Sequence, residues 1–259
     1  MKIIYELNPP KIVKGERFDL DILRQDLQGM IDRAVQVHRL VDGIHLTDSV
    51  LGIPRISGLT AAAFVKQEIS SSTKLSCSLR CRDRNFAALA QAVSDAILMG
   101  IDSILLLLGD EPSHSQGSGC GIAPSTALQM LKKEGFDSQI RLELSFPARI
   151  TDRDSNAIMK KLATRPHSLV TQSIATLEDL GEIVDLAKAR STKVTACIMV
   201  PSEKNRQSAS LIGLDWSAYE KNPADFVRAA AEMADCILLT SPNSFSSGLD
   251  LLRQLQKAG

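Results

Sequence analysis

Short apolar runs of four to eight residues alternate along the whole chain with longer stretches in which apolar residues recur at helical spacing. The runs are KIIYEL (2–7), GIHLT (43–47), KLSCSL (74–79), SILLLL (103–108), IRLELSF (140–146), HSLVTQ (167–172), KVTACIMV (193–200) and DCILLT (235–240). Near-continuous apolar runs of that length are what strands covered on both faces require, and a helical segment after each is the mark of parallel βαβ units. Eight such units predict an α/β fold in the form of a single (β/α)8 TIM barrel over residues 1–259.

Helices are predicted over DLDILRQDLQGMIDRAVQVHRLV, NFAALAQAVSDAILM, SNAIMKKLAT, LEDLGEIVDLAKA and SGLDLLRQLQKA, with Asp83 as the cap of the second and Gly100 as its left-handed stop. Another opens after Pro124 and Ser125, and residues 202–234 read as a helix interrupted by GLDWSAYEKNP.

Charge narrows the partners. Lys plus Arg total 30 and Asp plus Glu total 30, so no global field gathers nucleic acid or an anionic membrane, and an anionic ligand must be met locally. The opening MKIIYELNPPK, with Glu6 and two prolines, is neither a secretory leader nor a spanning segment, and a cytosolic protein is expected. The five cysteines, at 77, 81, 120, 197 and 236, are scattered without ligand spacing; reduced packing residues are expected and no metal site.

In a barrel, chemistry belongs at the C-terminal ends of the strands. At those ends lie Glu6 with Asn8, His45 with Thr47 and Asp48, Arg80 with Arg82, Asp110, Arg149, Gln172 and Asn243. Glu6 shares parity with Ile4, so if Ile4 faces the interior, Glu6 does too, and desolvation there keeps a carboxylic acid protonated for general acid catalysis. A Glu tied to an arginine across the barrel mouth is the alternative.

By parity with Leu106 and Leu108, Asp110 is expected to point inward, where it would accept two hydrogen bonds from the flat N–H/NH2 edge of a heterocycle; a turn Asp bonding its own backbone is the competing reading. Gln172 offers the matching donor and acceptor pair. His45 is read as a hydrogen-bonding rather than a metal-binding residue, and the glycines of 114–125 as a loop without a nucleotide-binding fingerprint.

Together, YELNPPK (5–11), CRDRN (81–85), LLLLGDEP (105–112), LVTQ (169–172) and IMVPSEKN (198–205), with a weaker echo in LLTSPN (238–243), resemble the methylenetetrahydrofolate reductase family in content and order. That family shows FEFFPP in the first strand, GD followed by Pro at the end of the fourth and TQ at the end of the sixth. The resemblance implies a barrel holding FAD, reduced by NAD(P)H or by an electron-transfer or methyltransferase partner subunit, that passes a hydride to a folate-type or methanopterin-type one-carbon carrier.

It further implies Glu6 as general acid and Asp110 as a second catalytic residue, with Gln172, Asp110, Asn8 and Thr47 on the substrate. Around the cofactor it implies His45, Thr47, Arg80, Arg82, Asp83, Arg84 and Phe146, with Asp83 positioning Arg82 and Arg84 on the flavin diphosphate or the substrate's glutamate tail. A homo-oligomer is expected. Leu108 stands where many members have Arg, SHSQGSGCGIAPST replaces the usual loop after Pro112, and SFPARI replaces a YPE-His pattern. Two other functions compete: a flavin-free methyl-transfer component, and a non-catalytic barrel subunit of a one-carbon complex with an apolar patch around LIGLDW (211–216).

Overall fold

The computed structural model describes residues 1–111, 121–152 and 154–257. Eight parallel strands, β1 (Ile3–Leu7), β2 (Gly43–Leu46), β3 (Lys74–Arg80), β4 (Ser103–Leu107), β5 (Arg141–Phe146), β6 (Ser168–Ser173), β7 (Lys193–Met199) and β8 (Cys236–Thr240), run in the order β1 to β8 as a closed barrel. Each predicted strand is present, with ends shifted by a residue or so. The intervening helices are α1 (Leu20–Val37), α2 (Gly58–Glu68), α3 (Phe86–Leu98), α4 (Pro124–Lys133), α5 (Ser155–Ala163), α6 (Leu177–Lys188), α7 (Glu203–Leu211), α8 (Pro223–Met233) and α9 (Phe245–Lys257).

Capping chemistry sets the helix ends. Asp19, Ser57, Thr176 and Ser202 each accept from a backbone N–H of the first turn of α1, α2, α6 and α7. The cap of α3 is Asn85, which accepts from the Ala88 amide, and not Asp83 as the sequence suggested. Asn85 stands immediately before the first helical residue, whereas Asp83 lies two residues further out, where its carboxylate serves Arg80. Gly100 does end α3, at φ +64°. The interrupted helix of residues 202–234 is two helices, separated by Gly213 at φ +68° and restarted by Pro223 in the first turn of α8.

By internal contacts the chain divides into two compact units, Met1–Glu6 with Leu40–Asp42 and Leu144–Gly259, and Leu7–Arg39 with Gly43–Glu143. In the first, Tyr5, Ile198 and Ile237 are buried on the helix-facing side of their strands, and the Tyr5 ring meets Phe245 of α9 edge-on. In the second, Leu75, Cys77 and Leu79 of β3 alternate with Ser76, Ser78 and Arg80, all 6% exposed or less. Burial of both faces explains why this strand reads as strand while its inner face is polar.

Cys77, Cys81 and Cys197 are buried free thiols and Cys236 is a half-buried one; burial pushes Cys81 and Cys197 up to about 12, so they pack rather than react. Cys120 lies outside the described residues, as does the glycine-rich stretch up to residue 120. Among the described residues no cluster of three metal-binding side chains occurs, and no helix is long and apolar enough to cross a membrane.

Candidate active site

Glu6 is placed by alternation: Tyr5 and Leu7 are buried on one side of β1, which turns Glu6 to the other together with Ile4. Ile4 pairs with Leu238 and Tyr5 with Leu239, so the next residue of β8 in register, Thr240, stands beside Glu6 and donates its hydroxyl proton to Oε1 at 2.6 Å. Glu6 is half-buried as a residue, yet its carboxyl is desolvated, and burial raises its pKa against the smaller lowering effect of the Thr240 bond. No arginine or lysine forms an ion pair with it among the described residues, so the alternative of a Glu–Arg pair is absent.

The same unit supplies polar neighbours from β6 and β7. The Cys197 thiol lies 3.6 Å from the Ser173 hydroxyl, and the Cys197 amide donates to Thr171 Oγ1 at 3.0 Å. Cys197 feels the charge of Glu6, which adds to the burial that raises its own pKa. The pairing of β6 with β7 shifts register between Val170 and Ser173, and at that irregularity Gln172 is exposed between buried Thr171 and Ser173. Its amide is therefore available at the end of the strand, where the sequence placed it.

Three residues leave the predicted site. Phe146, assigned to the cofactor, is 1% exposed and shares its side of β5 with Leu142 and Leu144, so it is a core residue. Arg149 pairs with Asp179, and Asn243 donates from its side chain to Ser208 and from its backbone amide to Asn205 Oδ1, while the Asn205 amide nitrogen donates to the Val200 carbonyl and Ser241 Oγ. The Asn205 network fixes the turn after β8. In the predicted patch at LIGLDW, Leu211 and Ile212 are exposed but Trp216 is 5% exposed.

The second unit answers for the charge of CRDRN. Arg80 is 3% exposed and donates to the carbonyls of Ser49 and Asp110, with Asp83 3.4 Å away. Arg82 donates to the Gly109 carbonyl and pairs with Glu111; Arg84 bonds the Arg80 carbonyl and the buried carboxylate of Asp48, both at 2.9 Å. Gly109, at φ +86°, lets the chain pass over the Arg80 side chain, where a Cβ would stand 2.8 Å from Cγ and Nε. The arginines thus tie the ends of β2, β3 and β4 together, and Asp83 holds Arg80 rather than Arg82 and Arg84.

Asp110 also departs from expectation. Strand β4 ends at Leu107 and Leu108 is 45% exposed, so strand parity does not carry to Asp110, which is exposed and accepts from the Leu51 amide at 2.7 Å. His45, assigned to the cofactor, is clamped by both ring nitrogens, Nδ1 to Ser76 and Nε2 to Ser78, each at 2.8 Å. Burial lowers it to about 4, leaving a neutral imidazole with no nitrogen for a ligand. Thr47, buried, donates to Asn8 Oδ1 at 2.7 Å, so these two of the predicted residues are brought together.

The sequence missed Thr240, Cys197, Ser76, Ser78 and Arg55. The serines carried a signal in the alternation S-C-S of β3, read only as apolar continuity. A groove of about 670 Å³ between α2 and α3, with Phe64, Leu98 and Met99 on its walls, is lined also by Asp48 and Arg84.

No family model and no curated protein matches the chain. Solved structures do share its fold. QR15, an aldolase, has a TM-score of 0.59 at 10% identity, covering 98% of this chain and 93% of its own. Deoxyribose phosphate aldolase from Aeropyrum pernix gives 0.58 at 12%, over 100% and 91%. Orotidine 5'-phosphate decarboxylase from Pyrococcus horikoshii OT3 gives 0.52 at 12%, over 98% and 99%. At these identities the likeness shows the TIM-barrel fold, which those enzymes share, and nothing finer.

Proposed function

We propose that the protein is an enzyme that protonates a nitrogen of a one-carbon-bearing pterin from Glu6, and that its reaction interconverts a methylene-pterin such as 5,10-methylenetetrahydrofolate with its 5-methyl form. The observation that carries this reading is the desolvated Glu6 carboxyl, held by Thr240 at the C-terminal end of β1 with no ion-pair partner among the described residues. A carboxyl whose pKa is raised by burial holds its proton to higher pH than a free glutamate and donates it to the ring nitrogen. The bond from that nitrogen to the methylene carbon breaks, and the iminium that remains accepts a hydride. Thr240 orients Oε1 and receives the carboxylate charge that forms. Gln172, exposed at the strand end in the same unit, supplies an amide for the pterin edge.

The flavin side of the resemblance fits less well. His45 has both nitrogens bonded, Phe146 is in the core, and Arg80 and Arg84 are spent on carbonyls and on Asp48, so these residues do not make a FAD site. We therefore assign the reductant to a diffusible donor or a partner protein. The same misfit favours, as a second reading, a flavin-free component that passes a methyl group from the pterin. Covalent catalysis by a strand-borne amine is not supported: Lys74 and Lys193, the lysines within strands among the described residues, are exposed first residues of β3 and β7, at the ends away from the βα loops.

The test is calorimetry with 5-methyltetrahydrofolate followed by reduction of methylenetetrahydrofolate with chemically reduced free flavin. Wild type is expected to bind and turn over, to lose added FAD on desalting, and in Glu6→Gln to lose roughly 10²- to 10⁴-fold in rate at similar pterin affinity. Full activity in Glu6→Gln refutes the acid; absence of pterin binding refutes the substrate class; methyl transfer without reductant selects the second reading.

A further inference from the structure

The loops after β1 and β2 meet in an isolated antiparallel bridge between Lys11 and Arg55. Its flanking hydrogen bonds run from the Ile12 amide to the Pro54 carbonyl, at 3.0 Å, and from the Ile56 amide to the Pro10 carbonyl, at 3.1 Å. That pattern makes Lys11 and Arg55 the non-hydrogen-bonded kind of pair, in which facing residues approach most closely and their side chains leave on one face. Like charges directly opposite are destabilising, so two cations here need a reason.

No carboxylate supplies it. Neither Lys11 nor Arg55 has an ion-pair partner within 4.0 Å among the described residues, although Arg80, Arg82 and Arg84 in the same unit each have one, and so does Lys14, held by Asp26. Arg55 is half-buried, and its side chain is bonded to the protein through one bond, Nη1 to the Pro9 carbonyl at 2.5 Å; its Nε is buried without a partner. Burial lowers the Arg55 pKa, the direction expected where no anion repays the desolvation. Next to Pro9, the Asn8 side chain is oriented by Thr47, which occupies its carbonyl oxygen and leaves the amide nitrogen to donate elsewhere.

We propose that Arg55 and Lys11 form a binding site for an oxyanion, the carboxylate or phosphate of a small-molecule ligand. The site lies on βα loops, the face on which barrel enzymes bind their ligands. The Pro9 carbonyl fixes one arm of the guanidinium, which leaves the Nη2 arm to donate to an oxygen of a planar or tetrahedral anion, while Lys11 adds a mobile charge beside it. This inference stands apart from the pterin reading, since it names no reaction and rests on no residue of the Glu6 cluster.

Thermal unfolding of the full chain, titrated with inorganic phosphate or with glutarate at constant ionic strength against sodium chloride, tests it without turnover. A saturable rise in midpoint with either probe is expected, and the larger response distinguishes phosphate from carboxylate. Lys11→Met is expected to weaken the apparent affinity roughly two- to fivefold and Arg55→Met at least about tenfold. Lys11 is exposed, so its variant folds whatever the fate of Arg55→Met; Arg55→Lys, which keeps the charge and loses the guanidinium, is expected to fall between Arg55→Met and wild type. A wild-type response no greater than that to chloride overturns the proposal. Unchanged affinity in both Lys11→Met and Arg55→Lys overturns it equally, because the anion then binds elsewhere.

Discussion

His45 offers a prediction whose size can be worked from its surroundings. The imidazole is 4% exposed, bridges Ser76 and Ser78, and is pushed by burial from its ordinary 6.5 to about 4. In the unfolded chain it takes a proton as pH falls through 6.5; in the folded chain it stays neutral until about 4. The unfolded state therefore binds more protons across that window, and stability that is full above 6.5 is lost progressively as pH falls toward 4. At about 1.4 kcal/mol per unit of pH, the loss comes to about 3 kcal/mol, or roughly 6–12 °C in unfolding midpoint for a chain of this size.

The perturbation is His45→Gln, whose amide can still donate to one serine and accept from the other but does not titrate. Urea unfolding followed by circular dichroism between pH 7.5 and 4.0 gives two stability curves, and their difference isolates His45, because the other three histidines and every carboxylate are common to both. Wild type is expected to lose about 3 kcal/mol relative to the variant between pH 6.5 and 4. Parallel curves refute the reasoning, as does an imidazole that titrates near 6.5 by NMR while the fold is intact.

Two other expectations follow from neighbouring contacts. Thr240→Val removes the hydrogen bond that partly offsets the raised pKa of Glu6, so the alkaline limb of a pterin-reduction pH profile should move to higher pH; movement to lower pH would contradict the assigned role. Arg84→Met strands the Asp48 carboxylate, 6% exposed, and with Arg84 itself 26% exposed should cost about 2 kcal/mol, read as a fall of roughly 4–8 °C in unfolding midpoint and largely restored by adding Asp48→Asn.

The strands and most helices were legible because their signals are local. Period, apolar continuity and cap residues act over a few positions, and Glu6 was located by the same alternation that buries Tyr5 and Leu7. Phe146 could have been placed by that rule too, since it shares parity with Leu142 and Leu144; its aromatic character was given more weight than its parity. Asp110 was misplaced because alternation was carried past the end of β4, and the φ of +86° at Gly109 turns the chain there.

By itself the sequence determined eight covered strands, their order, the side of β1 on which Glu6 lies, and the absence of a global field. Only the tertiary structure decided what each charged or polar group meets. Thr240 reaches Glu6 across 234 positions of sequence, Ser76 and Ser78 hold His45 across more than thirty, and Asp48 takes Arg84 while no carboxylate among the described residues pairs with Arg55. The reason is physical. Hydrophobic periodicity is an average property of one segment, whereas a hydrogen bond or ion pair depends on two atoms brought within about 3 Å by the register between strands and the paths of the loops after them.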